Sequence, residues 1–213
     1  MEYHLNMGIN HIYIADNNDV DDGEILKGSI NKRYQKDVTI YDYRGKDKIQ
    51  LGTFNDFIYK YELHKSYDCI AFIDVDEFIN LGAYNNIQDM LSMLPTSPNC
   101  IGMLLNYRIH DDNGLLYDDG RGVRVRFPQF ARTYGMTEPR GYYARGKTIF
   151  NCKCSIIDKH ESFTSLHNLF KRDGYHHVDV HGNMSEGFFH HTDVPNLSLS
   201  YANYSYEHAW LDH

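Results

Sequence analysis

Several features that often place a protein early are scarce in this sequence. Its 213 residues hold four cysteines, five prolines and one tryptophan. Cys69, Cys100, Cys152 and Cys154 are too few and too scattered for a disulfide framework. On a strand, Cys152 and Cys154 would turn both thiols to one face, but no second Cys or His pair stands nearby at zinc spacing. Reduced thiols are expected. Basic charge is also short: the net charge of −8 disfavours a general nucleic-acid binder, which needs a basic face to replace counterions. No apolar run approaches the ~20 residues that cross a bilayer, and no secretory leader is evident. The expectation is a cytoplasmic chain without a transmembrane segment, with peripheral association at the inner face of a membrane left open. Repeats, low-complexity tracts and linkers are lacking too, so residues 1–213 read as one domain.

What is present is alternation. "MEYHLNMG" reads as the tail of a helix stopped at Gly8, and "INHIYIADNN" as a strand with a polar end. "DVDDGEILKGSINKRY" has the pattern of a short helix capped by Asp21 or Asp22, and "DVTIYDY" is a second strand. Phe54, Phe57, Ile58 and Tyr61 recur at helical spacing. Cys69 to Ile73 forms a buried strand, "NNIQDMLSMLP" a helix and "CIGMLLNYRI" another strand. Strands alternating with helices predict a mainly parallel sheet flanked by helices, which binds ligands at the carboxyl ends of its strands. Asp16-Asn17-Asn18 and Asp74-Val75-Asp76 both fall at such ends and should share one rim. Residues 1–116 make the more regular half. In residues 117–213 the helical punctuation fades, "GVRVRF" and "GKTIFNCKCSII" read as strands, and the part is less regular.

The segment "CIAFIDVDEFIN" poses the central problem, because a greasy strand runs into Asp74, Asp76 and Glu77. Like charges this close raise each other's pKa unless a cation sits between them. One explanation is a helix cap beside a solvent-facing acid. The other is Mn²⁺ or Mg²⁺ on hard oxygen ligands, completed by a diphosphate and so held weakly without one.

Taken together, "EYHLNMGINHIYIADNN", "YDCIAFIDVDEF", "DDNGLL…VRVRF" and "GKTIF" resemble, in that order, the bacterial glycosyltransferases related to families 2 and 92, which have the GT-A fold. The resemblance runs from residue 2 to about 150. It implies an inverting, metal-dependent glycosyltransferase that moves a sugar from a nucleotide-diphosphate donor to a glycan or lipid-linked glycan, with residues 1–116 as the nucleotide-binding half and 117–213 as the acceptor side. On the matching positions, Asp16 looks like the acid that contacts the nucleoside, with Asn17 and Asn18 in the same loop. Asp74 and Asp76 match the DxD, Asp76 as the direct metal ligand and Asp74 nearer the ribose or reaching the metal through water. Gln50, Arg126 and Lys147 match residues around the donor. Relatives carry a strand ahead of the "EYH" helix that is not in this sequence, and "AWLDH" looks like the start of a longer segment. The chain therefore reads as a core fragment or a truncated product.

Inverting transfer needs a base for the acceptor hydroxyl. Asp111 and Asp112 in "IHDDNG" are the candidates, Asp112 preferred, unless the stretch is simply a turn. For a metal-binding histidine the order is His167, then His213. His190-His191 and His176-His177 can each offer one ring at most, since neighbours on an extended segment face opposite ways. Tyr201, Tyr204, Tyr206 and Trp210 suit an amphipathic helix better than a sugar platform. Two other functions compete: a nucleotidylyltransferase, for which no Gly-rich triphosphate loop is visible, and a non-catalytic sugar- or nucleotide-binding module.

Overall fold

The computed structural model describes residues 1–18, 23–46, 49–108, 146–164, 172–185 and 209–212. The first helix, α1 (Glu2–Asn6), ends where Gly8 takes a φ of +105°, open to glycine and strained for other residues. Strand β1 (Ile12–Asp16) follows, then α2 (Gly23–Ser29), a 3₁₀ turn and β2 (Val38–Asp42). β1 and β2 pair in parallel, with Asp16 opposite Asp42. The helix read around Phe54 is α3 (Gln50–Asn55), which widens without a break into a π-helical turn, Asp56–Lys60. β3 (Cys69–Ala71), β4 (Phe78–Asn80), α4 (Ile87–Leu91) and β5 (Cys100–Arg108) complete the first part. The Asn86 side chain caps α4 by accepting from the Asp89 amide at 2.8 Å. Beyond it lie β6 (Gly146–Asn151), β7 (His176–Val178), β8 (Met184–Ser185) and β9 (Trp210–Asp212).

The α/β class is as expected, but the sheet is not mainly parallel. β6 inserts between β3 and β5 and runs antiparallel to both. β7–β8 and β4–β9 are antiparallel as well, whereas β7 and β9 lie parallel to β5. The expectation rested on the early helix-linked strands, and the later, less regular part supplies the strands that make the sheet mixed. β3 and β5 do run the same way, but the strand between them comes from far along the sequence.

β3 corrects a second expectation. Cys69, Ile70 and Ala71 are half-buried rather than buried, because among the described residues β3 pairs only with β6. Trp210 corrects a third, since it opens a strand and not a helix. Tyr201, Tyr204 and Tyr206, the caps Asp21 and Asp22, and "GVRVRF" lie outside the described residues.

Two apolar clusters cover the two faces of the large sheet. One is aromatic: Phe54 stacks on Phe72 at 4.2 Å between ring centres, and Phe163 meets Phe72 and Phe150 edge-on. Each such ring pair adds roughly 0.5–1.5 kcal/mol beyond area burial. Because Tyr13 and Tyr41 join this cluster, α3 and its π turn bridge the β1–β2 pair to the large sheet. The other cluster joins Ile79, Ile87, Met90, Met103, Leu105 and Leu211. A bulge between Cys100 and Gly102 lets Cys100 and Met103 share that face. A side chain at Gly102 would meet the Ile149 carbonyl at 2.1 Å, so the close approach of β5 to β6 needs glycine.

Candidate active site

The knot of three acids separates into three environments. After β3 the chain makes a tight turn in which the Glu77 amide donates to the Asp74 carbonyl at 3.1 Å. Glu77 turns inward and is 1% exposed. Its Oε2 accepts from the Asp74 amide at 2.7 Å, and its Oε1 accepts from the Tyr107 hydroxyl at 2.5 Å. Burial pushes the Glu77 carboxyl up, against the opposing pull of the Tyr107 and Asp74 hydrogen bonds and the Lys147 charge. Burial and the hydrogen bond to Glu77 likewise raise the Tyr107 phenol.

Asp74 is half-exposed and held on both oxygens. Gln50 Nε2 donates to Oδ1 at 2.8 Å, and Lys147 Nζ donates to Oδ2 at 3.0 Å. Lys147 Nζ also lies 3.7 Å from Glu77 Oε1, and the lysine is 2% exposed. Asp76 points into solvent beside a fully exposed Val75, and neither Asp74 nor Asp76 caps a described helix. The structure thus brings together Gln50, Asp74 and Lys147, with Asp76 next to them.

The end of β1 forms the second group. Asp16 is 4% exposed, and its Oδ1 accepts from the Asn18 amide at 3.2 Å. The Tyr43 amide donates to the Asp16 carbonyl at 2.8 Å and the Gly45 amide to the Asn18 carbonyl at 3.2 Å, tying this loop to the one after β2. With its nitrogen turned inward, the Asn17 amide donates to the Tyr43 and Lys46 carbonyls at 3.0 and 2.8 Å. Asp16 also lines an open cleft of about 460 Å³, with Lys27 and Ile40 on its walls and Asp42 and Arg44 beside them. Arg44 clasps Asp42 through Nε at 2.9 Å and Nη2 at 2.8 Å, which holds the Asp42 carboxyl well below its usual range.

Two contacts link the elements that carry these groups. Gln50, which opens α3 after the β1–β2 pair, touches Asp74, and the Tyr13 and Tyr67 hydroxyls, from β1 and from just before β3, meet at 3.0 Å.

Asp111, Asp112, Arg126, His167, His190, His191 and His213 lie outside the described residues. Among the described ones, no three of His, Cys, Asp and Glu converge as a metal cage. The carboxylates of Asp74 and Asp76 are hard oxygen donors suited to Mg²⁺ or Mn²⁺, which take much of their shell from phosphate and water. Reading the sequence left Glu77, Tyr107, Asp42 and Arg44 without roles. A polar end on the β5 run, "NYR", was the available signal for Tyr107.

No helix among the described residues is long and apolar enough to cross a membrane. Compared with known proteins, the chain matches no family model, no curated protein and no solved structure.

Proposed function

We propose that the chain is a glycosyltransferase of GT-A architecture, moving a sugar from a nucleotide-diphosphate donor to a glycan or lipid-linked glycan with inversion. One observation carries this reading: the turn after β3 holds Asp74 between Gln50 and Lys147 and leaves Asp76 facing solvent, while a second strand end, Asp16 of β1, lines an open cleft. A buried acid in a cleft can accept from a nucleobase or ribose, while exposed acids beside it can take a cation and, through it, a diphosphate. Among the described residues β1 pairs only with β2 and β3 only with β6, and α3 bridges the two on one face, an arrangement that also suits a GT-A sheet.

In this reading Asp16 receives the nucleoside, and Asn17 and Asn18 shape its loop. Asp76 and Asp74 hold Mn²⁺ or Mg²⁺, with His167 as a further ligand. When bound, the metal stabilises charge on the departing diphosphate. Arg126 adds positive charge near the donor. Asp112, or failing it Asp111, takes the acceptor hydroxyl's proton as its oxygen attacks the anomeric carbon.

The test is calorimetry with UDP and GDP, each with and without Mn²⁺, on the wild-type chain and on Asp76→Asn. Metal should tighten binding of at least one nucleotide in the wild type only. Nucleotide affinity that ignores Mn²⁺ in the wild type overturns the metal-dependent transfer.

A further inference from the structure

The geometry points to Lys147 as a resident counter-cation of the acidic turn, one that makes divalent-metal binding at Asp74 and Asp76 conditional on an anionic ligand. This rests on the metal-dependent reading above. Lys147 sits in β6 opposite Leu105, on a strand buried throughout. Its side chain is 3% exposed against 43% for Asp74, so the ammonium approaches the carboxylate from inside the protein. It reaches Asp74 Oδ2 at 3.0 Å and Glu77 Oε1 at 3.7 Å, and Glu77 is locked in turn by Tyr107 and the Asp74 amide. The ammonium is therefore fixed under the turn and does not extend from the rim like a phosphate-binding lysine.

Charge decides the consequence. Two carboxylates contact the one ammonium and a third, Asp76, stands exposed beside them, so the turn keeps a negative excess that draws cations. Yet a dication reaching Asp74 meets a full positive charge already hydrogen-bonded to that carboxylate. The repulsion weakens metal binding while the metal arrives alone. A diphosphate brings negative charge that offsets both cations, and the metal then binds with it.

Mn²⁺ alone, titrated into the full chain with free Mn²⁺ read by electron paramagnetic resonance, tests this. Lys147→Met should bind Mn²⁺ at least about tenfold more tightly than the wild type, from removal of a unit charge at close range. UDP should then improve its Mn²⁺ affinity by a smaller factor than in the wild type. Methionine leaves Glu77 as a buried charge without its cation, so if the single variant does not fold, the comparison is made in a Glu77→Gln background, where Lys147→Met/Glu77→Gln should bind Mn²⁺ about tenfold more tightly than Glu77→Gln. Mn²⁺ affinity unchanged or lowered by Lys147→Met, in whichever background folds, overturns the role of Lys147. A wild type whose UDP and Mn²⁺ affinities are uncoupled overturns the transferase reading instead. A gain in Mn²⁺ affinity in the variant upholds the lysine even then.

Discussion

Two strands of this protein end in acids, and they stabilise them by different physics. At the end of β1, Asp16 is buried against neutral partners, with the Asn18 amide on its carboxylate and the Asn17 side chain bracing the loop. At the end of β3, Glu77 is buried beside a cation, and Asp74 shares that cation. The first arrangement is local, since Asp16, Asn17 and Asn18 are consecutive. The second draws Gln50, Tyr107 and Lys147 from three separate elements. A carboxylate near one amide can serve as a hydrogen-bond acceptor, whereas clustered carboxylates need positive charge. In the proposed function the first end takes the nucleoside and the second the cation.

The largest effect asks whether both ends serve one reaction. Asp112→Asn should leave donor binding unchanged and lower kcat by about 10²–10⁴, the usual share of a general base. Asp111→Asn should cost much less. Single-turnover rates at saturating donor check this, and an active Asp112→Asn would move the base elsewhere.

Stability separates the two ends next. Glu77→Ala leaves the Lys147 ammonium without one of its two carboxylates, and takes the Glu77 acceptor oxygens from the Tyr107 hydroxyl and the Asp74 amide. It should destabilise by roughly 3–5 kcal/mol in urea unfolding. Asp16→Ala removes one hydrogen bond to an adjacent amide and should cost about 1 kcal/mol. Equal losses would erase the distinction drawn here.

Ligand binding sharpens it. Asp76→Asn should abolish the Mn²⁺-dependent part of UDP affinity and change stability by less than about 0.5 kcal/mol, as at most exposed positions. Asp16→Asn should weaken UDP by a similar factor with and without Mn²⁺, as read by calorimetry.

The smallest effect concerns the remote end of the sheet. Burial pushes the Cys69 and Cys154 thiols to about 11 and raises Cys100 and Cys152 as well. A thiolate is the reactive form, so at pH 8 the folded chain should resist thiol reagents that label all four cysteines in urea. Rapid labelling of native Cys152 or Cys154 would contradict their burial.

By itself the sequence determined the local elements. Alternation of apolar residues marked β1, β2 and β5, and helical spacing marked α3 and α4, because these patterns depend on neighbours a few residues apart. Polar tails at Asp16 and Asp74 likewise announced two strand ends. Only the tertiary structure decided how strands far apart in the chain meet. β6 enters between β3 and β5 from a distant part of the chain, makes the sheet mixed, and carries Lys147 beneath Asp74. Tyr107 finds Glu77 for the same reason. Strand pairing is settled by backbone hydrogen bonds and packing across long sequence separations, and no local periodicity records which distant strand wins. In this protein that pairing turned a cluster of like charges into one buried acid, one shared acid and one free for solvent.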